Sequence, residues 1–347
     1  MQMQMEENKP LAPFTTFGIG GPARWFVQAQ SEDEIVEASE WARGHGVPLF
    51  VLGGGSNVLI SDAGFPGLVL QVALKGVELE VTDASGVLFS VQAGENWDEF
   101  VDIAVQQNCA GIECMAGIPG TVGGTPVQNV GAYGQEVSQV IGRVRAFDTR
   151  ERRMIEFSAA ECEFSYRKSR FNSTDRDRFI VTRVYYRLTR GGKLSLHYAD
   201  LLSEFGPEAN PILPEVATAV RRIRKGKGML IVPGDPDCHS AGSFFKNPIV
   251  DEAQAKRVAE ITGKDPPRYG AGDGKVKLSA AWLIEQSGFR KGYTEGKAGV
   301  SSRHTLALIN HGGATASEIL NLAARIHSAV EKQYGVVLQP EPVFVGF

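Results

Sequence analysis

The sequence predicts a fold of mixed helices and strands that is not of the Rossmann type. Two observations support this prediction. Apolar segments with strand character and capped helices both occur along the 347 residues. The glycine-rich turns connect one strand to the next, whereas a Rossmann fingerprint places its glycines between a strand and the helix that holds the pyrophosphate. A chain of this length can form two or three domains, each with its own core.

In the N-terminal half, two helices are predicted from their capping residues. Ser31 and Glu34 match a capping box at the start of one helix, 31–41, and Asn96 is the N-cap of a second helix, 96–109. Strands are predicted at residues 23–29, 47–52, 58–61, 140–147 and 179–188.

The C-terminal half is predicted to be richer in helices, with a boundary near residues 190–210. Thr315 and Glu318 form a capping box at the start of the last helix, whose apolar residues we assign to the core. The final segment, 336–345, is predicted to be a strand in which two prolines fix the backbone around Glu341. Helices are predicted from Pro214 onward and at residues 251–262, 279–286 and 315–334.

Residues 117–134 are the most informative segment, because glycines fill a stretch (GIPGTVGGTPVQNVGAYG) that fits neither a helix nor a strand. Glycine lets the main chain take positive φ and bring its N–H groups against a ligand, here a phosphate or a heteroaromatic ring. Gln128, Asn129 and Tyr133 supply directional polar contacts. The alternative is a mobile surface loop without a ligand.

A second glycine-rich turn, residues 53–57 (GGGSN), lies between two predicted strands. Successive N–H groups in such a turn form a nest for a phosphate, with Ser56 and Asn57 as further donors. A tight hairpin is the alternative interpretation. The formal dinucleotide fingerprint at residues 18–23 is rejected because a strand follows it, and no Gly-Lys pair is followed by Ser or Thr as in a Walker A motif.

The overall composition limits the class of function. Glycine makes up 40 of the 347 residues, above the usual ~7%, without a collagen period. A net charge of −4 and a pI near 5.9 argue against a nucleic-acid-binding surface. We find no signal peptide and no membrane span, so we expect a cytoplasmic protein that binds neither membrane nor nucleic acid. The four cysteines lack metal or disulfide spacing, so we expect reduced thiols and no metal site.

Several further candidate residues also have simple structural explanations. The cations at residues 221–227 complement a helix C-terminus, and their surplus suggests a diphosphate or carboxylate ligand. Tyr166 and Arg167 lie in a charged segment that is either a solvated amphipathic stretch or part of a site. Ser243 follows a glycine as turn residues commonly do, and His304 is interpreted as structural.

Taken in order, these motifs resemble those of the UDP-N-acetylenolpyruvoylglucosamine reductase family. The likeness extends over residues 14–347 and includes both glycine-rich segments, the Tyr166-Arg167 pair, GSFFKNP (242–248) and QPE (339–341). It implies an α+β fold with a two-lobed FAD-binding unit of the vanillyl-alcohol-oxidase/PCMH type and a C-terminal α+β substrate-binding domain. The implied domains are an N-terminal extension (1–13), the FAD-binding domain (14–190, with lobes of about 14–74 and 75–190), a connector with a tyrosine loop (191–212) and the C-terminal domain (213–347).

The resemblance also implies the reaction. Noncovalently bound FAD and NADPH would reduce UDP-N-acetylglucosamine enolpyruvate to UDP-N-acetylmuramate in peptidoglycan precursor synthesis, and we expect the protein to act as a monomer. Arg167 and Glu341 would stabilise the enol intermediate, and Ser243 would donate the proton that completes the reduction.

By the same resemblance, two sets of residues bind the ligands. The substrate contacts are Tyr166, Tyr198, Lys227, Asn247 and Gln286, and Tyr198 lies in a loop (196–201) typical of the longer family type. The FAD contacts are Gly53, Gly54, Gly55, Ser56, Asn57, Ile118, Pro119, Gly120, Gly123, Gln128, Asn129, Gly131, Ala132 and Tyr133.

Two other functions remain open at this point. A flavin oxidase of the same broad fold would not need the GSFFKNP motif and would consume oxygen rapidly once reduced. A noncatalytic sensor of UDP-sugars would keep the binding residues but purify without flavin absorbance.

Overall fold

The chain divides into two compact units that do not follow the sequence order. The computed structural model describes residues 3–81, 86–192, 194 and 198–347. The sequence prediction placed all of residues 14–190 in one domain, whereas the contacts group residues 10–22 and 55–65 with the C-terminal part. Unit 1 comprises Met1–Lys9, Ala23–Gly54 and Pro66–Lys225, and unit 2 comprises Pro10–Pro22, Gly55–Phe65 and Gly226–Phe347.

The described residues contain seven α-helices and twenty β-strands. The helices are α1 (Glu32–Gly44), α2 (Trp97–Gln106), α3 (Ala199–Phe205), α4 (Leu213–Gly226), α5 (Glu252–Thr262), α6 (Ala280–Gln286) and α7 (Ala316–Tyr334). The strands are β1 (Met5–Pro10), β2 (Pro22–Ala29), β3 (Leu49–Leu52), β4 (Val58–Ile60), β5 (Phe65–Val72), β6 (Val77–Val81), β7 (Gly86–Gln92), β8 (Cys109–Ala110), β9 (Gly131–Ala132), β10 (Gln135–Glu136), β11 (Ile141–Asp148), β12 (Arg153–Ser158), β13 (Phe179–Arg190), β14 (Ile249–Asp251), β15 (Arg268–Gly270), β16 (Lys275–Leu278), β17 (Thr294–Glu295), β18 (Ala298–Val300), β19 (Leu308–Asn310) and β20 (Val343–Val345).

Unit 1 contains two larger sheets and the two-stranded sheet β10-β9. One has the strand order β1-β2-β5-β3, in which β3 and β5 are parallel. The other has the order β12-β11-β13-β7-β6, with β8 paired to β13, and all of these strand pairs are antiparallel. Val87, Phe89 and Val91 of β7 are buried while their neighbours are partly exposed, as expected for a sheet with one face on the core.

The helices of unit 1 begin where the capping residues predict. The Ser31 hydroxyl accepts a hydrogen bond from the N–H of Glu34 at 3.2 Å, and the Glu34 carboxylate accepts from the N–H of Gln30 at 2.6 Å. The Asn96 side chain accepts from the N–H of Glu99 at 3.2 Å. Both helices are therefore confirmed, although α2 ends at Gln106 rather than at Cys109, because the chain turns there and enters β8.

Unit 2 packs three helices, α5, α6 and α7, with three small sheets. The sheets have the orders β14-β16-β15, β17-β18-β19 and β20-β4, and β4 and β20 run parallel. Thr315 and Glu318 form the predicted capping box of α7, and the Asp62 carboxylate accepts from the N–H of Ala316 at 2.7 Å. Ile319, Leu322, Ile326 and Val330 are buried, which confirms their assignment to the core.

The strand predictions are confirmed only in part. The strands predicted from residue 23 to 188 correspond to β2, β3, β4, β11 and β13. The strands β5, β6, β7 and β12 and the two-residue strands β8, β9 and β10 were not predicted. Only Val343–Val345 forms a strand in the predicted segment 336–345.

In the described part of the chain, no helix is long and apolar enough to cross a membrane, and no group of three or more His, Cys, Asp or Glu is placed to hold a metal ion. The four cysteines are buried free thiols, and burial raises the pKa of Cys114 to about 12.

Candidate active site

The turn of residues 53–57 joins two strands that belong to different sheets. β3 pairs with β5, and β4 pairs with β20, so the tight-hairpin interpretation is wrong. Among the residues that the structure describes, none accepts a hydrogen bond from the main-chain N–H groups of residues 53–57. Main-chain donors are rarely left without a partner. A row of such donors therefore fits an anion such as a pyrophosphate.

The two glycine-rich segments meet within unit 1. A Cβ added to Gly54 would lie 2.6 Å from the Cα of Gly120, and one added to Gly53 would lie 2.9 Å from Oγ1 of Thr121. These distances are below normal van der Waals contact, so these two positions favour glycine. Ile118 and Pro119 directly precede this contact in the chain. Three of the predicted cofactor residues, Gly53, Gly54 and Gly120, are thus brought together.

Gly55 is fixed by a different close approach, within unit 2. A Cβ on Gly55 would lie 1.8 Å from the carbonyl oxygen of Phe14, and its φ of +62° is in the left-handed region. The N–H of Thr16 donates to the Gly55 carbonyl at 3.1 Å. The conformation of the turn is therefore set by its protein neighbours.

Residues 117–134 pack closely into unit 1. Thr125 is 3% exposed, and its hydroxyl donates to the Val122 carbonyl at 2.8 Å. The fully buried Tyr186 hydroxyl lies 2.6 Å from the same Thr125 oxygen and must be the donor there, since the Thr125 proton is already used. The indole N–H of Trp97 donates to the Met115 carbonyl at 3.0 Å. This burial disfavours a mobile surface loop.

The main-chain N–H and the main-chain carbonyl of Gly117 are both held by charged residues. Its N–H donates to Oδ1 of Asp98 at 2.5 Å, and its carbonyl accepts from Nε of Arg224 at 3.0 Å. Arg224 is buried, and burial lowers its pKa. Arg221 pairs with Asp98 at 2.7 Å and with Asp102 at 2.6 Å. Two of the cations predicted to be surplus therefore hold the start of the glycine-rich segment.

Sequence reasoning missed this role of Arg224 and Asp98. The available signal was the spacing of Arg221 and Arg224, which places both on one side of α4. Their partners could not be identified, because Asp98 lies on α2, far away in the sequence.

Arg167 lies beside the same segment. Its Nη2 donates to the Gly131 carbonyl at 2.9 Å, and its Nη1 donates to the Asn129 carbonyl at 3.4 Å. Asn129, Tyr133 and Arg167 all have positive φ, at 43°, 48° and 53°. Non-glycine residues in this region are uncommon and concentrate at functional sites.

Two predicted ligand-binding tyrosines are in contact. The rings of Tyr133 and Tyr198 pack edge to face with centroids 5.3 Å apart, and Tyr198 is the N-cap residue of α3. Tyr198 is 43% exposed and Tyr166 is 36% exposed, so both have surface for a ligand. Leu196 and His197, which begin the predicted tyrosine loop, lie outside the described residues.

In unit 2, Ser243 and Glu341 lie on adjacent extended segments. The N–H of Glu341 donates to the Phe244 carbonyl at 2.8 Å, and Phe245 forms an antiparallel bridge with Pro340. The side chain of Asn57 donates to the Glu341 carbonyl at 3.3 Å. Two predicted catalytic residues and one predicted cofactor residue are therefore neighbours, while Arg167 belongs to unit 1.

The predicted substrate residues of unit 2 have identifiable local environments. Oδ1 of Asn247 accepts from the N–H of Ala280 at 2.9 Å, so Asn247 holds the start of α6, and Gln286 is the last residue of that helix. Lys227 precedes Gly228, where an added Cβ would lie 3.0 Å from the Cβ of Asp237.

Beside Gly228, Arg303 forms an ion-pair network with two aspartates. Nε of Arg303 donates to Asp237 at 2.7 Å, and Nη2 pairs with Asp235 at 2.5 Å. Burial alone would raise the pKa of Asp237, but Ser302 and Arg303 outweigh it and hold that pKa below its usual range. His304 follows this arginine, and its N–H donates to the Ser301 hydroxyl at 3.2 Å.

Two family models match this chain. One describes an FAD binding domain and matches residues 23–152. The other describes the C-terminal domain of UDP-N-acetylenolpyruvoylglucosamine reductase and matches residues 235–345. The predicted α+β fold, with an FAD-binding unit followed by this C-terminal domain, is confirmed.

Whole-chain relatives agree with the domain matches. The chain is 45% identical over 356 residues to the UDP-N-acetylenolpyruvoylglucosamine reductase of Thermobifida fusca, covering 100% of this chain and 99% of the relative. It is 45% identical to the reductase of Streptomyces coelicolor, covering 99% and 91%. The crystal structure of the Thermus caldophilus reductase matches with a TM-score of 0.67 at 26% identity, covering 99% of both chains. The chain belongs to the UDP-N-acetylenolpyruvoylglucosamine reductase family.

Proposed function

We propose that this protein uses NADPH and FAD to reduce UDP-N-acetylglucosamine enolpyruvate to UDP-N-acetylmuramate. The observation that carries the proposal is the 45% identity to a named reductase along the whole chain. FAD dependence is supported by the match of residues 23–152 to the FAD binding domain. Oxidase and sensor functions have no comparable support.

The residues of the turn 53–57 fit the cofactor. Their N–H groups have no acceptor among the described residues, and these donors suit the pyrophosphate. Residues 118–133 would hold the isoalloxazine. When bound, FAD supplies the hydride that is added to the terminal carbon of the enolpyruvyl double bond.

Arg167 and Glu341 stabilise the negative charge that this addition creates. Hydride addition at the terminal carbon pushes an electron pair onto the adjacent carbon and its conjugated carboxylate. The guanidinium of Arg167 binds that carboxylate, because its planar fork matches two carboxylate oxygens. Glu341, protonated or sharing a proton, donates a hydrogen bond to the developing oxyanion. Each such contact typically changes the rate by ~10²- to 10³-fold.

Ser243 completes the reduction. Its hydroxyl gives a proton to the carbon that carries the electron pair, so one hydride and one proton are added across the double bond. An aliphatic hydroxyl is a weak acid, but the enol-like carbanion is a strong base, and correct placement compensates for the weak acidity. The support is the position of Ser243 one residue before Phe244, whose carbonyl bonds to Glu341.

Four residues would bind the rest of the substrate. We assign the diphosphate and uridine to Lys227, Asn247 and Gln286, and the closing contact to Tyr198 as in the longer family type. The contact between the Tyr198 and Tyr133 rings supports a role for Tyr198 near the cofactor segment. We further propose that the protein works as a monomer in the cytoplasm, where a nucleotide-linked sugar and NADPH are both available.

The two half-reactions of Ser243→Ala test this function. In stopped-flow absorbance, we expect NADPH to bleach the flavin at close to the wild-type rate, whereas UDP-N-acetylglucosamine enolpyruvate reoxidises it at least 100-fold more slowly. Ser328→Ala is the control, since Ser328 is an exposed serine of the same unit on α7. Equal loss of both half-reactions would remove Ser243 from the proton-donor role. Colourless wild-type protein would overturn the whole proposal.

A further inference from the structure

The side chain of Asn129 is fully engaged with protein atoms. Nδ2 donates to the Glu136 carboxylate at 2.9 Å and to the Ser165 carbonyl at 3.1 Å. Oδ1 accepts from the N–H of Ser138 at 3.1 Å. The residue is 1% exposed. Both amide donors are therefore used, and none is left for a ligand.

The orientation of this amide is fixed by its partners. A main-chain N–H can only donate and a main-chain carbonyl can only accept, so Ser138 must face Oδ1 and Ser165 must face Nδ2. The assignment of Asn129 as a direct side-chain contact to the cofactor, expected from the sequence, therefore has little geometric support.

Arg167 lies in a tight turn whose base is Ser165. The N–H of Ser165 donates to the Lys168 carbonyl at 2.9 Å, and the N–H of Lys168 donates to the Ser165 carbonyl at 3.0 Å. The Ser165 carbonyl is the same oxygen that accepts from Asn129. One step further along, the Ser169 hydroxyl donates to the Val127 carbonyl at 2.8 Å.

Asn129 thus contacts the Arg167 turn with two different groups. Its side chain holds the base of the turn at Ser165, and its main-chain carbonyl accepts from the guanidinium itself. Arg167 has a φ of +53°, a strained conformation for a non-glycine residue that persists only when its surroundings enforce it.

We propose that the Asn129 side chain is a positioning residue for Arg167. It acts on substrate reduction by holding the Arg167 turn in place, and it touches neither cofactor nor substrate. The inference rests on the role proposed above for Arg167 in binding the substrate carboxylate. It predicts that removing the amide slows reoxidation far less once Arg167 is already impaired.

A double-mutant cycle with stopped-flow half-reactions tests this inference. The four proteins are the wild-type flavoenzyme, Asn129→Gly, Arg167→Lys and the double variant. Glycine is chosen because Asn129 has positive φ, so the change removes the amide without straining the backbone. Asn108→Gly is the matched control, because Asn108 has a φ of 53° and is exposed.

We expect Asn129→Gly to slow flavin reoxidation by substrate at least 10-fold, with flavin content and reduction by NADPH within about twofold of wild type. In the Arg167→Lys background, the same change should slow reoxidation by less than threefold. The inference would be overturned if the two substitutions slowed reoxidation independently, so that their fold-changes multiplied in the double variant. It would also be overturned if Asn129→Gly slowed flavin reduction by NADPH as much as it slowed reoxidation.

Two further outcomes are informative. If Asn129→Gly does not fold with flavin, Asn129→Asp enters the same cycle, since it keeps the shape and the acceptor for Ser138 but loses both donors. Loss of flavin from a folded Asn129→Asp would overturn the inference. A wild-type rate for Arg167→Lys would instead refute the proposed role of Arg167, which is a distinct result.

Discussion

The main-chain N–H of Glu341 donates to the carbonyl oxygen of Phe244 at 2.8 Å. This hydrogen bond ties a carboxylate near the end of the chain to the segment that carries Ser243. Ser243 directly precedes Phe244, so Glu341 and Ser243 lie on neighbouring stretches of the chain. Pro340 and Pro342 flank Glu341 and restrict its backbone.

The first prediction concerns the hydrogen-bonding role of Glu341. We expect Glu341→Ala to slow flavin reoxidation by substrate about 10²-fold, because an oxyanion donor is lost. Glu341→Gln should keep part of the rate, since an amide also donates. Stopped-flow absorbance measures both, and Glu331→Gln on exposed α7 surface is the control. Equal rates for the alanine and glutamine variants would show that donation is not what Glu341 contributes.

The second prediction concerns the close approach at Gly54. Gly54→Ala would place a Cβ 2.6 Å from the Cα of Gly120, so the two glycine-rich segments must separate. We expect at least a 10-fold weaker affinity for FAD, measured as the flavin absorbance retained per protein and by titration of stripped protein. Gly44→Ala is the control, because nothing lies within 4 Å of its added Cβ. Full flavin retention in Gly54→Ala would contradict this view of the turn.

The third prediction concerns the buried hydroxyl of Tyr186. Tyr186→Phe removes the donor to Thr125, which is left with one hydrogen bond fewer in a buried setting. We expect the free energy of unfolding to fall by about 1–2 kcal/mol in urea denaturation. Tyr185→Phe should lower the free energy of unfolding by less, because the Tyr185 hydroxyl makes only a 3.4 Å contact with Glu156. A larger loss of stability in Tyr185→Phe than in Tyr186→Phe would contradict this prediction.

The fourth prediction concerns acid stability. Burial would raise the pKa of Asp148, but Arg178 and the N–H groups of Arg150 and Glu151 outweigh it and hold the pKa below its usual range. The folded pKa is thus lower than the unfolded value of ~3.9, so this carboxylate stabilises the fold above about pH 4. The contribution is lost as the pH falls through the folded pKa.

Asp148→Asn measures that contribution directly. At pH 7 we expect the variant to be less stable by about 2 kcal/mol, because Arg178 loses its hydrogen-bonded ion pair with the buried Asp148 and keeps only the pair with Asp175. The difference should shrink when the pH falls below 4. Thermal unfolding from pH 7 to pH 3 follows it, with the exposed Asp177→Asn as control. A difference that stays constant with pH would exclude Asp148 as its source.

The elements that could be predicted from the sequence are those determined locally. Thr315 and Glu318 are three residues apart, and their reciprocal hydrogen bonds form wherever a helix begins there. The same helix start also depends on Asp62, which accepts from Ala316 across a separation of 254 residues. No local pattern reveals such a partner.

The candidate site likewise has features that sequence patterns reveal and features that they do not. Residue type and motif order made the glycine-rich segments, Arg167 and Ser243 candidates for the site. They did not show that the amide of Asn129 faces Ser165 and Ser138 rather than a ligand. Asparagine is equally suited to both tasks, so only the fold decides between them.

The interleaving of the two units affects how the chain folds during translation. β4 ends at Ile60, but its parallel partner β20 begins at Val343. A ribosome adds roughly 5–20 residues per second, so β4 waits for some tens of seconds before its partner emerges. Unit 2 therefore completes its fold only near the end of synthesis. A fragment that starts at Gly226 would lack both β4 and Asp62, whose carboxylate caps the start of α7.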